Sequence, residues 1–446
     1  MLFTENVFLP SRLRFTSKIA NNTLGQIEFL DSSEAVGIEG YKFRGVKGWV
    51  IHRKSGDRIL VVPKPTAVNP YGSVLLVPGI TRIPYMDNDG TQKARWLYPK
   101  VRTITDIDEL VSISQKARDS WANAFSFKSE ERNGDEIIKP GMRVPQLGAL
   151  YASLAHWIVT SEIGTVVMPT GTGKTETMLA LLACERPKCL FVVVPTSALR
   201  DQICKKFLTF GVLRKSGVIN SEVDLPVVGK VEHQFNNSDD AIQFLRSCNV
   251  AIATMAVVGG CSEEVQRAIA SECSHVFIDE AHHVSANTWN SFRELFHEQK
   301  KPVLQFTATP FRRDGKHLGG KSIFTYPLRK AQEEKYFTPI TFVSIWEYNR
   351  DTADLAIAKR GIQALEEDIK AGHDHILMAR TDNIERAKQI YSIYSALAPE
   401  FNPLIVHSNL PANEQTNAID KLRSRQSRVI VCVDMLGEGF DLPQLK

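Results

Sequence analysis

Two short motifs carry residues suited to phosphate and metal chemistry. The first, Met168–Thr175, reads MPTGTGKT and lies between a strand-like run, TVVM, and a helix-like run, ETMLALLA. A strand, a glycine-rich loop and a helix in this order are typical of a phosphate-binding loop. Gly171 and Gly173 allow the backbone to turn tightly and direct N–H groups at phosphate oxygens, and the following helix adds its positive end.

Side-chain chemistry assigns roles within this loop. Lys174 would bind the β- and γ-phosphates, and the Thr175 hydroxyl would ligate Mg²⁺. The strict pattern GxxxxGKS/T has Gly where this chain has Met168, but the core TGTGKT is intact. For this motif alone, the alternative is a glycine-rich turn with an incidental lysine. The predicted nucleotide-binding residues of the loop are Thr170, Gly171, Thr172, Gly173, Lys174 and Thr175.

The second motif, DEAH at Asp279–His282, follows the apolar run Val276–Ile278. Catalytic residues of parallel sheets collect at the carboxyl ends of strands. Asp279 can hold Mg²⁺ through water, and Glu280 can orient and deprotonate an attacking water. DEAH alone could be a helix start with an aspartate cap. Because it follows Lys174 by 105 residues at a predicted strand end, the two motifs together indicate ATP hydrolysis, with Lys174, Asp279 and Glu280 as the catalytic set.

The elements around these motifs predict two parallel sheets. From Met142 onward, apolar β-rich runs alternate with helical periods, and a second such series begins after Tyr336. Continuous apolar strands separated by helices are typical of a sheet covered on both faces. The predicted strands are Thr165–Met168, Leu190–Val194, Val250–Ala253, His275–Ile278, Val303–Phe306, Ile340–Ser344, His375–Ala379, Leu404–Val406 and Arg428–Val433.

The first 140 residues have a different texture. Short runs broken by Gly, Pro, Asn and Asp predict the strands Gly48–His52, Arg58–Val62 and Ser73–Val77. Residues 105–127 predict one or two helices, and the charged stretch 128–140 a linker or exposed loop. Residues 1–104 hold 15 basic and 8 acidic residues. This excess suits a polyanionic partner, although a solvated surface gives the same count.

Composition excludes several classes of protein. With 43% apolar and 23% charged residues, the 446-residue chain predicts an ordinary globular protein of two to four domains. No run is long enough for a membrane span, and we see no signal peptide, so we expect a cytoplasmic protein without a membrane partner. Seven cysteines without a CxxC pair predict reduced, buried thiols.

With these residues in hand, the part of the chain from Arg143 to Lys446 resembles superfamily 2 helicases and translocases of the DEAD/DEAH-box type. The resemblance implies that Gln146 reads adenine and that three residues couple hydrolysis to strand movement: His282, Thr307 and Thr309. It also implies that four residues bind the nucleic-acid backbone: Pro195, Thr196, Arg200 and Thr254. Such contacts carry no sequence information, as a stepping motor requires.

The second lobe continues the resemblance. Arg380, in ART, would bind nucleic acid, and Gly437 and Asp441, in GEGFD, would contact the nucleotide. The implied fold is α/β, with tandem RecA-like lobes, the second incomplete, after a β-rich N-terminal module. The expected boundaries are 1–139 for that module, 140–335 for the ATP-binding lobe and 336–446 for the partial second lobe.

The sequence leaves the substrate and the rate of hydrolysis open. Lys446 follows Asp441 by five residues, before the motif that supplies an arginine finger in this family. We therefore expect ATP binding with poor hydrolysis unless another protein supplies the missing part or acts as effector. The stretch TATPFRRDG resembles DNA translocases of the restriction and repair type more than RNA helicases. The resemblance implies duplex DNA and a restriction or defence role, with RNA as an alternative. The competing function is an ATP-dependent DNA-binding switch or scaffold.

Overall fold

The computed structural model describes residues 9–30, 35–80, 94–133, 136–283, 286–311, 317–336, 341–407 and 409–433. The chain separates into two compact units, residues 1–326 and 327–446. Within the described part, no helix has both the length and the apolar composition needed to cross a membrane.

The strands, in chain order, are β1 (Arg12–Ile19), β2 (Asn22–Glu28), β3 (Ala35–Phe43), β4 (Val46–Arg53), β5 (Arg58–Val62), β6 (Val74–Leu76), β7 (Arg95–Tyr98), β8 (Arg102–Thr103), β9 (Glu131–Asn133), β10 (Glu136–Lys139), β11 (Gly164–Val167), β12 (Leu190–Val194), β13 (Val228–Val231), β14 (Val250–Thr254), β15 (His275–Ile278), β16 (Val303–Thr307), β17 (Lys321–Thr325), β18 (Leu377–Thr381), β19 (Leu404–Val406) and β20 (Val429–Val433). The helices are α1 (Ile107–Ser120), α2 (Val144–Val159), α3 (Lys174–Glu185), α4 (Ser197–Thr209), α5 (Gly211–Lys215), α6 (Ser238–Arg246), α7 (Met255–Gly259), α8 (Glu263–Glu272), α9 (Ala286–Glu298), α10 (Leu328–Glu333), α11 (Arg350–Lys370), α12 (Ile384–Leu397) and α13 (Ala412–Arg423).

A ten-stranded sheet forms the core of the first unit, in the order β17-β11-β16-β15-β12-β14-β13-β2-β1-β8. The seven strands from β17 to β13 are all parallel. Every residue of β11, β12, β14 and β16 is buried, which explains why their sequences are apolar without alternation. The prediction of a parallel α/β lobe is confirmed.

The N-terminal region contributes to two sheets. Strands β1, β2 and β8 extend the ten-stranded sheet, with β2 antiparallel to β13. The other N-terminal strands form a separate sheet in the order β3-β4-β5-β6-β7, mostly antiparallel. The expectation of a β-rich N-terminal region is confirmed. However, the contact division does not fall at residue 139, because β1 and β2 complete the lobe's own sheet.

Residues 128–140, predicted as a linker or exposed loop, contain a short hairpin of β9 and β10. The second unit contains a three-stranded parallel sheet in the order β18-β20-β19. Helices α11 and α12 pack on this sheet through Ala358, Ile362, Leu365, Ala387 and Tyr394. This arrangement confirms a second parallel α/β lobe.

One predicted strand of the second series is wrong over its described part. Residues 341–344 of the predicted strand Ile340–Ser344 form no strand, and Ile340 lies outside the described residues. Phe342 is 89% exposed and Trp346 84% exposed. An apolar run predicts a strand only when a neighbouring strand is available to pair with it, and neighbouring strands cannot be identified from a local pattern.

Candidate nucleotide and nucleic-acid site

The predicted motifs meet at one edge of the ten-stranded sheet. The phosphate loop follows β11, the DEAH residues follow β15, and Thr307 ends β16, which lies between the other two strands. Val167 is paired with Thr307, and Ile278 is paired with Gln305. Parallel strands bring their carboxyl ends to the same edge, so residues more than a hundred positions apart become neighbours.

The phosphate loop has the backbone conformation that its glycines permit. Gly171 has φ +83° and Gly173 has φ +103°, both in the region that L side chains avoid. The buried Thr172 hydroxyl donates a 2.6 Å hydrogen bond to the Pro169 carbonyl, which closes the turn. Helix α3 begins directly after Gly173, so Lys174 and Thr175 occupy its first turn, where backbone N–H groups are available to an anion.

Gly173→Ala is expected to destabilise the loop. An added Cβ would lie 2.0 Å from Gln146 Nε2 and would also hold a non-glycine residue at φ +103°. Strain of this kind costs about 1–3 kcal/mol, and thermal unfolding should show a Tm lower by several degrees. Gly37→Ala is the matched control, because a Cβ there meets nothing within 4 Å. Equal melting temperatures for the two variants would contradict the prediction.

Lys174 and Glu280 form a buried ion pair across two strand ends. Lys174 Nζ lies 2.8 Å from Glu280 Oε1, and the two side chains are only 7% and 9% exposed. The contact is electrostatic, because neither Lys174 Nζ nor Glu280 Oε2 makes a hydrogen bond within the described part of the chain. Two buried polar atoms without hydrogen bonds are costly unless a ligand satisfies them. The pair therefore occupies the place where phosphate and water chemistry is expected.

Asp279 is the second carboxylate of this site. Its backbone N–H donates to the Val193 carbonyl, and its Oδ1 accepts from the Glu280 N–H at 3.0 Å. Burial, and then the charge of Glu280, raise the pKa of Asp279 to about 7. Glu280 itself adopts φ +48°, a strained conformation for a non-glycine residue, and such strain is common at functional sites.

These donors fit Mg²⁺. Two adjacent carboxylates share one lysine as a partner, so a bound cation would relieve their repulsion and favour the ionised form of Asp279. Mg²⁺ takes one or two protein oxygens, water and substrate phosphates. Accordingly, the described residues contain no cluster of three or more His, Cys, Asp or Glu that could hold a metal by itself. Asp279 and the half-buried Thr175 are the candidate ligands.

A hydrogen bond joins the DEAH motif to the end of β16. His282 Nδ1 lies 2.9 Å from Thr307 Oγ1. The Thr307 hydroxyl donates to the Thr309 carbonyl at 2.7 Å and accepts from the Thr309 N–H. Because its single proton is used in the first of these bonds, His282 must be the donor through Nδ1–H. All three residues of the predicted coupling set are therefore in one network.

Gln146 touches the phosphate loop, and sequence reasoning missed its neighbour Arg143. Gln146 Oε1 accepts from the Arg143 backbone N–H at 2.8 Å, and its amide group packs against Gly173. Arg143 Nη1 donates to the Gly171 carbonyl at 3.0 Å. Residues at the start of α2 thus contact the phosphate loop at Gly171 and Gly173. The signal was available in the motif RVPQ, where Arg143 precedes the first residue of the helix.

Pro195, Thr196 and Thr254 lie along the same sheet edge, next to the nucleotide residues. Thr196 and Thr254 each cap a helix, accepting from Leu199 N–H and Val257 N–H. The ends of β12 and β14 are adjacent, with Val194 paired to Thr254. Thr196 is exposed and Pro195 is half-buried, whereas Thr254 is buried. The N-terminus of α4, with the exposed Thr196, is suited to a phosphate, and the buried Thr254 lies on the adjacent strand end.

The position of the Arg200 side chain does not fit the prediction that Arg200 binds nucleic acid. Its side chain is only 8% exposed and lies 3.2 Å from Asp201 and 3.7 Å from Glu232. It also donates a hydrogen bond to the Val231 carbonyl at 3.1 Å. This geometry gives Arg200 a structural role, fastening α4 to β13. A sequence motif does not reveal which way a helical arginine points, and here the guanidinium is directed inward.

The second-lobe residues are described only in part. Arg380 lies in β18 and is exposed. Gly437 and Asp441 lie outside the described residues.

Comparison with known proteins agrees with this geometry. Residues 139–312 match the family "type III restriction enzyme, res subunit", and residues 360–446 match the family "helicase conserved C-terminal domain". The first match covers the phosphate loop, the DEAH motif and Thr307. The second covers the three-stranded sheet of the second unit.

Two curated relatives and one solved structure illustrate the similarity. A 51.5 kDa protein of a Lactococcus phage is 22% identical over 62% of this chain and 56% of that protein. The DNA 3'-5' translocase XPB2 of Sulfurisphaera tokodaii is 22% identical over 63% of this chain and 69% of its own length. The Mycobacterium smegmatis helicase Lhr, solved with ssDNA and AMP-PNP, is 15% identical, with a TM-score of 0.45, over 74% of this chain and 43% of Lhr.

The matched stretch therefore spans little more than half of the phage protein and less than half of Lhr. The two family matches lie in the expected order, and each coincides with one of the parallel-sheet lobes. Together with the site geometry, the two family matches and the similarity to a DNA translocase support a superfamily 2 helicase or translocase of the restriction and repair type.

Proposed function

We propose that this chain is an ATP-driven motor that moves on nucleic acid, with duplex DNA as the favoured track. The convergence of Lys174, Asp279, Glu280 and the His282–Thr307 hydrogen bond at three adjacent strand ends carries the proposal. An ATPase needs a phosphate-binding cation, a metal-binding carboxylate and a base in one place, and a motor also needs a link from that site to its track.

The buried ion pair defines how the site responds to ATP. Phosphates entering the loop would attract Lys174 away from Glu280, because a phosphate carries more charge than one carboxylate. Glu280 would then be free to orient water and accept its proton. Mg²⁺, held by Thr175 and Asp279, would neutralise charge on the phosphates. Gln146 would bind the adenine base from the start of α2.

The nucleic-acid track is assigned to the neighbouring strand ends. Thr196 and Thr254, with Pro195, would contact backbone phosphates through helix N-termini and hydroxyl groups. The network of His282, Thr307 and Thr309 would transmit the state of the ATP site. Arg380, Gly437 and Asp441 would act from the second lobe. Duplex DNA is favoured because the stretch TATPFRRDG resembles DNA translocases of the restriction and repair type. A DNA track also agrees with the similarity to a protein named as a DNA translocase.

Steady-state ATP turnover tests the proposal. The purified chain is assayed alone and with duplex DNA, single-stranded DNA or RNA, over a range of nucleic-acid concentrations. We expect turnover to rise with duplex DNA more than with the other two. Greatest stimulation by RNA would reassign the track. ATP binding without turnover under every condition would contradict the motor and favour an ATP-dependent switch.

A further inference from the structure

The five-stranded N-terminal sheet carries an unusual density of positive charge. Its described residues, with the two that follow β7, are 35–80 and 94–100, and they contain nine basic residues and two acidic ones. Of the acidic pair, Glu39 lies 3.1 Å from His52, and Asp57 lies 3.8 Å from Arg53. Among the described residues, the remaining cations therefore have few carboxylates nearby, and a surface of this kind attracts a polyanion.

Three of these cations rest on aromatic rings. Arg44 lies 5.2 Å from the ring centroid of Phe43, Arg58 lies 5.4 Å from that of Tyr71, and Lys100 lies 4.8 Å from that of Tyr98. All three cations are exposed, and none has a carboxylate within 4 Å among the described residues. We call these three pairs the ring–cation surface. Each ring holds its cation in place without neutralising its charge.

The three pairs lie on one face of the sheet. Tyr71 and Tyr98 pack on the same apolar cluster, which includes Val50, Leu60 and Val74. Tyr41 packs there too, and Phe43 shares its face because it lies two residues further along β3. The sheet has five strands spaced about 4.8 Å apart, so the surface spans about 19 Å. That length can follow several consecutive phosphates of a nucleic-acid strand.

The connection of the five-stranded sheet to the ten-stranded sheet also favours nucleic-acid binding by the ring–cation surface. Tyr98 and Lys100 are followed at once by β8, which joins the ten-stranded sheet at the end formed by β2 and β1. β2 pairs with β13, and β13 lies next to β14, whose last residue is Thr254. This half of the sheet is the one that contains Thr254, and the phosphate loop follows β11 in the other half. The N-terminal extension is thus fastened to the half of the lobe assigned to the track.

We infer that the ring–cation surface is a second nucleic-acid contact that binds backbone phosphates without reading sequence. Tyr71 and Tyr98 each carry a cation and also pack on the apolar cluster of the sheet, so at these two rings phosphate contact fits better than base stacking. The inference rests on the proposed function, since the surface would add phosphate contacts to the same nucleic acid that the motor binds. It predicts a larger salt dependence of binding than the lobe edge alone would give.

The test compares the salt dependence of binding. Each phosphate contact contributes a slope of about −0.9 in log affinity against log salt for duplex DNA, and about −0.7 for a single strand. In the full chain, the triple variant Arg44→Gln, Arg58→Gln, Lys100→Gln should flatten the duplex slope by about 2–3. Affinity at low salt should fall by about tenfold or more. Fluorescence anisotropy with labelled duplex DNA, single-stranded DNA and RNA measures both quantities.

Two further variants keep the test decisive. Lys116→Gln, Lys215→Gln, Lys300→Gln removes the same charge from exposed lysines elsewhere in the unit and should change the slope little. Arg44→Lys, Arg58→Lys, Lys100→Arg keeps the charge and should retain the slope. The inference would be overturned if the Arg44→Gln, Arg58→Gln, Lys100→Gln variant and the Lys116→Gln, Lys215→Gln, Lys300→Gln variant flattened the salt slope equally.

The same experiment separates this inference from the proposed function. If the unaltered chain binds none of the three nucleic acids, the proposed function fails. If the unaltered chain binds nucleic acid and the Arg44→Gln, Arg58→Gln, Lys100→Gln variant binds with the same affinity and salt slope, only the inference about the ring–cation surface fails. ATP turnover without nucleic acid should be the same in all these variants, because none of the altered residues lies at the ATP site.

Discussion

Glu280→Gln is expected to lower kcat for ATP hydrolysis by about 10²–10⁴ while ATP binding persists. The amide keeps the shape of the side chain but cannot accept the proton of the attacking water. It also ends the charge attraction with Lys174, whose Nζ lies 2.8 Å from Glu280 Oε1. Lys174 then no longer has to leave an ion pair to meet phosphate. We therefore expect ATP affinity to stay equal or to increase.

Phosphate release measures kcat, and equilibrium binding of a fluorescent ATP analogue measures affinity. The control is Glu263→Gln, an exposed glutamate paired with Arg267 on the surface of α8. Such surface pairs contribute little, so the control should resemble the unaltered chain. Retention of more than about half of the turnover in Glu280→Gln would show that another group is the base.

Lys174→Ala is expected to weaken ATP binding by about 100-fold or more. The variant removes the lysine whose Nζ lies 2.8 Å from Glu280 Oε1, and it removes a charge-assisted bond to phosphate. It also leaves Glu280 buried without its partner. Breaking a buried pair from one side costs about 3–5 kcal/mol, so the Tm of the nucleotide-free chain should fall by several degrees.

A double variant separates these two effects. Lys174→Ala with Glu280→Gln contains no buried unpaired carboxylate at position 280, so its Tm should recover most of the loss. Its ATP binding should remain lost, because the phosphate ligand is still missing. Lys206→Ala is the matched control, since Lys206 pairs with Glu176 at 3.0 Å and is 32% exposed. A Tm loss in Lys206→Ala as large as in Lys174→Ala would contradict the account of the buried pair.

The sequence predicted five of the seven parallel strands of the first lobe almost to the residue, and it missed β13 and β17. The predicted strand Leu190–Val194 coincides with β12, and His275–Ile278 coincides with β15. Strands buried on both faces must be apolar throughout, and such runs are short and bounded, so a local pattern is enough to find them. The edge of the site was predictable too, since chemistry at the carboxyl ends of parallel strands follows from topology.

Prediction from sequence was poorer where a residue's structure or role depends on the strand that pairs with it or on the side chains that contact it. Residues 128–140 read as a loop because they are charged, yet β9 and β10 form a hairpin there. Residues 341–344 read as a strand because they are apolar, yet they form none. Arg200 read as a surface contact, yet Asp201 and Glu232 hold it inside. In each case the deciding contact is made with another part of the chain or depends on side-chain direction.

The sequence by itself determined most of the alternation of strands and helices, and it was enough to propose the phosphate loop, the DEAH residues and the kind of chemistry they would perform. These features depend on residue type and short-range order. Only the tertiary structure decided that Lys174 and Glu280 pair inside the protein, that His282 bonds to Thr307, and that β1 and β2 complete the lobe's sheet. It also placed three cations on three rings at one face. Such contacts join residues far apart in the chain, and their geometry is fixed by packing, which no local pattern encodes.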